Sequence, residues 1–450
     1  MRQILDFQNK QVLVLGLAKS GYAAAKLLHQ LGADVTINDR SPLNENAKAI
    51  ELRSMGIDVV GGGHPDGLVH EDLDVLVKNP GIPYSNPLIV QAENKQVPVL
   101  TEVELAYRIS EAEFIGITGT NGKTTTTMLI GELLSGSSRE PLVAGNIGTV
   151  LSEVVQKASN DNVIVTELSS FQLMGVDEFH PRISVILNLY EAHLDYHGSF
   201  KNYANAKKRI TMKQTPQDYF VYNADDEHVS AFVEQTDATA IPFSVNGLVQ
   251  TGAFLQDEVL YYRDTPIIHA AELGAPGAHN IENALAAIAV AKLCGVSDAF
   301  IKARLQGFTG VKHRLQYVAT VQDRLFYNDS KATNILATTK ALNAFSRPVL
   351  LLAGGLDRGN SFDTLIPALE GVKALVAFGE TKEKIAAAAK TAGVKTIKIV
   401  DTVEEAVPIA YGSSDMNDVI LLSPACASWD QFRSFQDRGD MFIKMVHKLK

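Results

Sequence analysis

The sequence predicts an α/β protein of three domains, and three observations lead to that prediction. The chain has 450 residues, which at roughly 150 residues per domain corresponds to about three domains. Short apolar runs alternate with helical stretches along nearly the whole chain, a pattern typical of parallel sheets covered by helices. Glycine follows several of the helical stretches, as at Gly32 and Gly56, where it commonly ends a helix.

The predicted elements fall into three ranges of the chain. In the first domain, 1–101, strands and helices alternate at 11–17, 20–31, 33–38 and 45–55. The central domain, 102–310, has predicted elements at 114–118, 123–134, 163–167, 183–188 and 280–293, with a β-rich, irregular segment from about 215 to 270. The third domain, 311–450, has predicted strands at 325–328, 348–353, 374–378, 396–400 and 419–423. We therefore expect Rossmann-like first and third domains, with right-handed crossovers, around a central α/β domain of the P-loop ATPase type.

The composition disfavours several classes of protein. Apolar residues make up 46% and charged residues 20% of the chain, as in ordinary folded domains and unlike disordered chains. The formal charge of −10 disfavours non-specific nucleic-acid binding. No apolar run approaches the ~18 residues of a membrane span, and no signal-peptide core precedes Lys10. Two cysteines, Cys294 and Cys426, cannot form a disulfide framework or a cysteine-rich zinc site, which favours the reducing cytoplasm.

A glycine-rich loop between a strand and a helix gives the strongest functional signal. Its sequence is Gly-Ile-Thr-Gly-Thr-Asn-Gly-Lys-Thr-Thr at 116–125. In such loops backbone N–H groups hold phosphate oxygens, the lysine reaches the β- and γ-phosphates, and a hydroxyl can bind Mg²⁺. Because Ile117 stands where the strict pattern has its first glycine, a flexible turn is the alternative. The predicted ATP-binding residues are Gly119, Thr120, Asn121, Gly122, Lys123, Thr124 and Thr125.

A second glycine loop lies at the first strand–helix junction. Gly16 and Gly21 flank Ala18 in a G-x-A-x-x-G pattern. The missing middle glycine argues against close approach of the NAD pyrophosphate. We favour a different nucleotide diphosphate, with NAD and a purely structural turn as alternatives. Asp39 and Arg40 are then uridine or ribose contacts, or simply solvated turn residues.

Further candidates follow predicted strands of the central domain. Glu167 ends a strand beside the phosphate loop, where a carboxylate can hold Mg²⁺ or have no function. His193 is a weaker candidate, since Mg²⁺ prefers oxygen ligands. Lys207 and Lys208 by default belong to a solvated helix face. Asn146 is by itself only a turn residue.

Two polar clusters occupy strand-to-helix junctions of the third domain, where open α/β sheets bind ligands. They are Asn-Asp-Ser-Lys-Ala-Thr-Asn at 328–334 and Ser-Pro-Ala-Cys-Ala-Ser-Trp-Asp-Gln-Phe at 423–432. A helix cap would explain Thr333 but not the whole first cluster. Arg314, near the domain boundary, is either a phosphate contact or a linker charge.

Together these motifs resemble the Mur ligase family over essentially the whole chain. The resemblance includes the phosphate loop, 166–173, 187–198, Ala-Lys-Lys-Arg-Ile at 206–210, 279–287, 313–315 and both third-domain clusters. The phosphate loop is shared with folylpolyglutamate synthases, whereas the third-domain clusters resemble the branch that adds D-glutamate. The resemblance implies an ATP-dependent amide ligase of peptidoglycan precursor synthesis. Its small-molecule substrates would be UDP-N-acetylmuramoyl-L-alanine and D-glutamate, joined through an acyl phosphate.

The resemblance also implies residue roles. Lys123, Lys207 and His193 would be catalytic, and two Mg²⁺ ions would be held by Thr124, Glu167, His193 and a carbamylated lysine. The Ala-Lys-Lys-Arg-Ile motif assigns the carbamate to Lys207, with Lys208 as the competing position. Additional ATP contacts would be Asn146, Arg314, Asp329 and Lys331. Substrate contacts would be Ala18, Lys19, Ser20, Asp39 and Arg40 in the first domain, and Thr333, Ser428 and Phe435 in the third.

Two other functions stay open at this point. One is a folylpolyglutamate-type or other Mur-type ligase with a different substrate, and the other is a regulatory protein that hydrolyses a nucleotide without making a product. Trp429 departs from the family pattern, because a smaller apolar residue is expected there. Whichever of these functions holds, we expect a cytoplasmic monomer that does not bind nucleic acid or membranes.

Overall fold

Three β-sheets organise the described part of the chain, one in each predicted domain range. The computed structural model describes residues 6–247, 249, 251–275 and 277–449. The chain divides into two compact units. The first contains two of the sheets and extends to Leu273, continuing over Gly277–Leu305, and the second contains the third sheet and includes the chain from Gln306 onward.

The first sheet is parallel, and its described strands lie in the order β3-β2-β1-β4-β5. The strands are β1 Gln11–Leu15, β2 Asp34–Asp39, β3 Asp58–Gly61, β4 Val75–Lys78 and β5 Val99–Leu100. The helices are α1 Lys19–Gln30, α2 Ala47–Ser54, α3 Pro87–Asn94 and α4 Glu102–Ile109. Val12 and Val14 enter one hydrophobic core and Leu13 the other, so both faces of the sheet are covered. The strand order reverses between β1 and β4, which is where open sheets bind ligands.

The second sheet has the order β14-β13-β12-β11-β10-β9-β6-β8-β7 among the described residues. Its strands are β6 Glu113–Thr118, β7 Glu140–Gly145, β8 Asn162–Glu167, β9 Ile183–Ile186, β10 Tyr219–Asn223, β11 Thr239–Ser244, β12 Ala253–Gln256, β13 Val259–Tyr262 and β14 Thr265–His269. Its helices are α5 Lys123–Leu134, α6 Leu151–Val154, α7 Ser170–Leu173, α8 Leu194–His197, α9 Phe200–Lys208, α10 Glu227–Ser230, α11 Ala278–Leu293 and α12 Asp298–Gly307. Pairing is parallel from β7 to β12 and antiparallel from β12 to β14. The segment predicted to be β-rich and irregular contains strands β10 to β14, with α10 and turns between them.

The third sheet, in the second unit, has the described order β15-β16-β20-β17-β18-β19. Its strands are β15 Gln316–Val321, β16 Arg324–Asn328, β17 Val349–Gly354, β18 Val372–Phe378, β19 Thr396–Ile399 and β20 Val419–Leu422. Its helices are α13 Ile335–Leu342, α14 Ile366–Leu369, α15 Lys382–Thr391, α16 Val403–Gly412 and α17 Phe435–His447. Only the edge pair β15–β16 is antiparallel within the described sheet. The loops after β16, β20 and β17 thus meet at one edge of the sheet.

Across the described residues, no helix combines the length and the apolar character needed to cross a lipid bilayer.

Candidate active site

The phosphate loop is held in shape by the strand and helix beside it. Gly119 and Gly122 have φ of +148° and +81°, in a region where residues other than glycine are strained. A Cβ atom on Gly122 would lie 2.4 Å from Asn283 Oδ1 on α11. Asn121 donates its backbone N–H to Asn188 Oδ1 at 2.8 Å, just beyond β9. Helix α5 begins at Lys123, so its first N–H groups lack helical partners and are available to an anion.

Glu167 connects two of the other predicted site residues. It lies at the end of β8 and is 2% exposed. Its carboxylate accepts a hydrogen bond from Thr124 Oγ1 at 2.6 Å and another from Asn146 Nδ2 at 2.8 Å. Among the described residues Glu167 forms no ion pair, so its negative charge remains available to a cation. The structure therefore places Thr124, Asn146 and Glu167 together beside the loop.

Lys207 faces the phosphate loop from α9. Its ammonium is buried and donates to the Gly119 carbonyl oxygen at 2.7 Å and to Thr118 Oγ1 at 3.3 Å. Burial and the nearby Lys123 charge hold the pKa of Lys207 well below its usual range, against the opposing effect of Glu167. Lys208 instead donates to Gln235 at an exposed site. Of the two competing lysines, Lys207 is the one that reaches the loop.

Lys123 bends back over its own loop. Its Nζ donates to the carbonyl oxygens of Gly119 at 3.0 Å and Thr120 at 2.9 Å. Lys123 and Lys207 therefore converge on the same Gly119 oxygen. A phosphate would be a stronger acceptor for these ammonium groups than a neutral carbonyl.

His193 lies at the start of α8 with φ of +55°. Its ring is 5.0 Å from the Phe171 ring and 6.3 Å from the Tyr203 ring. The Lys207 ammonium lies 4.9 Å from the centre of the same Tyr203 ring. His193 and Lys207, two of the predicted metal ligands, thus both lie near the Tyr203 ring.

His197 is a buried neighbour of these groups that the sequence analysis did not identify. Its Nε2 lies 2.9 Å from Ser170 Oγ, while its Nδ1 is buried without a hydrogen-bond partner. Burial, followed by the charges of His193 and Lys207, lowers the pKa of His197 to about 4. The ring is therefore neutral at neutral pH.

The donor set beside the loop suits Mg²⁺. Over the described ranges, no group of three or more His, Cys, Asp or Glu side chains is positioned to hold a metal. Mg²⁺ commonly uses one or two carboxylates and completes its octahedron with phosphate oxygens and water. The Glu167 carboxylate and the Thr124 hydroxyl, 2.6 Å apart, are oxygen donors of the kind that Mg²⁺ prefers.

The glycine loop of the first domain packs against Asn79, which follows β4. Asn79 Oδ1 accepts from Ser20 Oγ at 2.5 Å and from the Gly21 N–H at 3.0 Å. Gly16 has φ of +97°, and a Cβ atom there would lie 2.2 Å from Asn79 Nδ2. The loop therefore needs its glycines for close packing. Ala18 stands at the N-cap of α1.

The other candidates of this domain differ in their surroundings. Asp39 accepts from the backbone N–H groups of Leu17 at 2.7 Å and Ser41 at 2.8 Å. Burial raises the pKa of Asp39, but these hydrogen bonds outweigh it, and the pKa lies below its usual value. Arg40 is exposed, and Lys19 donates to the Gly148 carbonyl oxygen at 2.5 Å. Asp39 thus shapes the loop with both of its oxygens already engaged.

A cavity of about 470 Å³ lies beside the phosphate loop. Its lining includes Tyr190, Asn223, Asp225 and Glu282. The Tyr190 N–H donates to Thr120 Oγ1 at 3.0 Å, which joins the cavity to the loop. Its carboxylates would repel phosphate but suit hydroxyl groups.

In the second unit, Asp329 is buried where β16 ends. Its oxygens accept from the Leu315 N–H at 3.2 Å and Ser423 Oγ at 2.8 Å. Burial raises the pKa of Asp329 to about 7, and these hydrogen bonds and the Arg314 charge only partly oppose the rise. Arg314 and Lys331 are exposed. Asp329, Arg314 and Lys331 form a polar group at this edge of the third sheet.

The second unit also contains a cavity of about 630 Å³. Thr333 and Arg358 are among its lining residues, whereas Ser428 and Phe435, both described, are not. Ser428 is 2% exposed, and the Phe435 ring lies 4.2 Å from Lys331 Nζ.

Arg358 was missed by the sequence analysis. Its guanidinium lies 5.1 Å from the Trp429 ring, whose side chain is otherwise exposed. Trp429 thus supplies an aromatic surface beside the cation of this cavity.

Comparison with family models matches the chain in three consecutive ranges. "Mur ligase MurD-like, N-terminal domain" matches residues 10–101, "Mur ligase middle domain" matches 117–291, and "Mur ligase, glutamate ligase domain" matches 313–426. Each range falls inside one predicted domain, while the predicted boundaries near 101 and 310 stay a prediction.

Full-length relatives are also similar to the chain. Proteins named UDP-N-acetylmuramoylalanine--D-glutamate ligase from Bacillus cereus (strain AH187) and Bacillus thuringiensis (strain Al Hakam) are each 58% identical over 449 residues, covering 100% of both chains. The predicted resemblance is therefore confirmed.

Solved structures agree on the fold. UDP-N-acetylmuramate-alanine ligase MurC from Thermotoga maritima aligns with a TM-score of 0.54 and 22% identity, covering 98% of this chain and all of that one. MurF from Acinetobacter baumannii aligns with a TM-score of 0.56 and 18% identity, covering 98% of this chain and 92% of that one. The predicted α/β architecture of three domains is confirmed.

Proposed function

The chain belongs to the Mur ligase family, and on that premise we propose that it adds D-glutamate to UDP-N-acetylmuramoyl-L-alanine at the expense of ATP. This reaction is a step of peptidoglycan precursor synthesis. The convergence of the Lys123 and Lys207 ammonium groups on the Gly119 oxygen, beside the Thr124–Glu167 pair, is the observation that supports phosphoryl transfer. The choice of D-glutamate rests on the full-length relatives.

The chemistry begins with an unreactive carboxylate. One oxygen of the alanine carboxylate attacks the γ-phosphorus of ATP, the bond to the ADP oxygen breaks, and an acyl phosphate forms. The amine of D-glutamate then attacks the acyl carbon and loses a proton, and inorganic phosphate leaves with the oxygen that the carboxylate supplied. An amide, ADP and phosphate result.

The phosphate loop supports the first step. Its N–H groups and the start of α5 would hold the phosphates, and the Lys123 ammonium would leave its carbonyl acceptors to stabilise charge on the transferred group. Thr124 and Glu167 would hold a Mg²⁺ ion, which would supply further neutralisation of the phosphate charge. Asn146 holds Glu167 in place for this role. The 470 Å³ cavity, adjacent through Thr120, would take the ribose side of the nucleotide.

We further propose that Lys207 becomes carbamylated. Its lowered pKa favours the free amine, which adds to CO₂ and releases a proton to give a carbamate anion. The carbamate would replace a buried cation with oxygen ligands for a second Mg²⁺, and His193, whose ring lies 6.3 Å from the Tyr203 ring, is the further proposed ligand. The placement of Lys207 against the loop, with Lys208 turned to Gln235, supports this assignment.

The two substrates would occupy different units. The UDP moiety would lie at the glycine loop of the first domain, near Ala18, Lys19 and Ser20, where the strand order of the first sheet reverses. D-glutamate would use the 630 Å³ cavity, where Arg358 offers a cation for a carboxylate and Thr333 a hydroxyl. Arg314, Asp329 and Lys331 remain proposed ATP contacts, and Ser428 and Phe435 proposed neighbours of the glutamate site.

We propose that the enzyme works as a monomer in the cytoplasm. ATP, which the phosphate loop would hold, is available in the cytoplasm.

The proposal is tested by phosphate release from ATP, measured with UDP-N-acetylmuramoyl-L-alanine in the presence and absence of D-glutamate. We expect release that requires both substrates. Release that needs neither would indicate a regulatory nucleotidase, and release that needs a folate substrate would indicate a folylpolyglutamate-type ligase.

A further inference from the structure

Lys78 is a buried lysine that the mechanism above does not use. It lies in the strand beside the glycine loop of the first domain, residues 16–21, and its side chain contacts Tyr196, three residues after His193. Lys78 ends β4 and is 1% exposed. Its Nζ donates to the Pro80 carbonyl oxygen at 3.0 Å and to Tyr196 Oη at 3.1 Å, and it lies 4.8 Å from the Tyr84 ring. In the part of the chain that the structure describes, Lys78 forms no ion pair.

Such a placement is unfavourable for stability. Burying an ammonium without a carboxylate costs free energy that neutral oxygens and aromatic rings only partly recover. A methionine would fill similar space without that cost. A contribution to stability therefore does not explain the lysine, whereas a role in connecting the glycine loop of the first domain to Tyr196 does.

On one side, Lys78 is adjacent to the residue that holds the glycine loop. Asn79 accepts from Ser20 and from the Gly21 N–H. The Ile82 N–H in turn donates to the Asn79 carbonyl oxygen at 3.0 Å. The glycine loop and the 78–82 segment are therefore joined by hydrogen bonds through Asn79.

On the other side, the same segment binds Tyr196 of the central domain. Tyr196 Oη donates toward the carbonyl oxygens of Pro80 at 3.2 Å and Ile82 at 3.0 Å, while it accepts from Lys78. The Tyr196 hydroxyl thus contacts three residues of the first domain, Lys78, Pro80 and Ile82.

Tyr196 also contacts the segment that contains His193. The Tyr196 N–H donates to the His193 carbonyl oxygen at 3.1 Å. The Phe171 ring packs against both, 4.6 Å from the Tyr196 ring and 5.0 Å from the His193 ring. Tyr196 is therefore connected to His193 by a backbone hydrogen bond and by the Phe171 ring that packs against both side chains.

We propose that Lys78 and Tyr196 are positioning residues. They couple binding of the UDP-substrate at the glycine loop of the first domain to the placement of His193 beside the nucleotide. The inference rests on the proposed function, since it assumes that a UDP-substrate occupies the glycine loop and ATP the phosphate loop. Because coupling is reciprocal, each ligand should tighten the other. The lysine–tyrosine bridge would thereby favour phosphoryl transfer only when the acceptor carboxylate is present.

The test measures binding of a non-hydrolysable ATP analogue with Mg²⁺ by calorimetry, with and without saturating UDP-N-acetylmuramoyl-L-alanine. For the parent enzyme we expect the UDP-substrate to tighten the analogue at least fivefold. In Tyr196→Phe, which keeps the ring, and in Lys78→Met, this ratio should fall to twofold or less. The Kd of the analogue alone should change less than threefold, and kcat should fall more than the KM for ATP rises.

Lys95→Met is the matched control, because Lys95 also donates to a backbone carbonyl oxygen of the first domain, that of Val69, away from the bridge. It should keep the parent ratio. A parent ratio near one, or folded Tyr196→Phe and Lys78→Met variants that keep the full ratio, would overturn the inference. Absence of substrate-dependent phosphate release by the parent enzyme would instead overturn the proposed function.

Discussion

The burial of Lys78 leads to a prediction about stability as well as function. Burial lowers the pKa of Lys78 from 10.5 to about 7. At 1.36 kcal/mol for each pKa unit, that lowering means that the protonated amine reduces the free energy of unfolding by about 5 kcal/mol. The neighbouring Tyr84 and Tyr196 have pKa values raised to about 12 by burial, so they stay neutral over the same range.

The sign of the pH dependence follows from proton binding. Between pH 7 and 10.5 the unfolded chain keeps the Lys78 proton and the folded chain loses it, so the parent gains stability as pH rises. Lys78→Met has no such group. It loses two hydrogen bonds of about 1 kcal/mol each and a cation–π contact of similar size. We therefore expect Lys78→Met to be about 2 kcal/mol more stable than the parent at pH 6 to 7. Raising the pH to 9.5 should move the difference by about 3 kcal/mol toward the parent.

Urea denaturation followed by far-UV circular dichroism at pH 6, 7 and 9.5 measures this difference. Comparing variant and parent at each pH cancels the titration of distant groups. A Lys78→Met protein less stable than the parent at pH 7, or a difference independent of pH, would refute the description of Lys78 as a buried, unpaired cation.

Three further predictions concern the site. Lys123→Ala should lower kcat for substrate-dependent phosphate release by at least ~10²-fold with an unchanged circular dichroism spectrum, and turnover near the parent rate would contradict the phosphate-loop assignment. Lys207→Ala should regain part of its activity with a short-chain carboxylate, whereas Lys208→Ala should stay near parent activity without it; the reverse pattern would move the carbamate by one residue. Because burial raises the pKa of Asp329 to about 7, its proton stabilises the fold below pH 4 and this contribution, up to about 4 kcal/mol, is lost as pH rises to 7. Asp329→Asn should therefore flatten the stability profile between pH 4 and 7 in thermal unfolding, and an unchanged slope would contradict the burial of that carboxyl.

Much of the fold followed from local patterns. The helix predicted at 123–134 is observed at those bounds, and the other predicted elements differ mainly by a residue or two at their ends. The antiparallel strands β12–β14 were not resolved from the sequence. Their short runs are interrupted by turns such as Asp257-Glu258, both of positive φ, and their pairing depends on an edge that the rest of the sheet provides. The edge strand β15 was missed for the same reason.

The choice between Lys207 and Lys208 illustrates what tertiary structure adds. Tyr203 and Lys207 are four residues apart and share one face of α9, and both are buried. Helical spacing alone cannot say which face meets the loop. Asn188 and Asn283 could not be assigned to the loop from local patterns. Asn188, just beyond β9, accepts from the Asn121 N–H, and Asn283 on α11 accepts from Thr126 near the start of α5. Both bonds join residues too far apart in the sequence for one motif to include them.

The central claim is that ATP activates the carboxylate of the acceptor substrate as an acyl phosphate. It is tested most directly with UDP-N-acetylmuramoyl-L-alanine labelled with ¹⁸O in its free carboxylate, followed by mass spectrometry of the inorganic phosphate released with D-glutamate. The mechanism predicts one ¹⁸O atom in each phosphate, because the carboxylate oxygen that attacks phosphorus leaves with it. Unlabelled phosphate, formed at the same rate as the amide, would contradict the account.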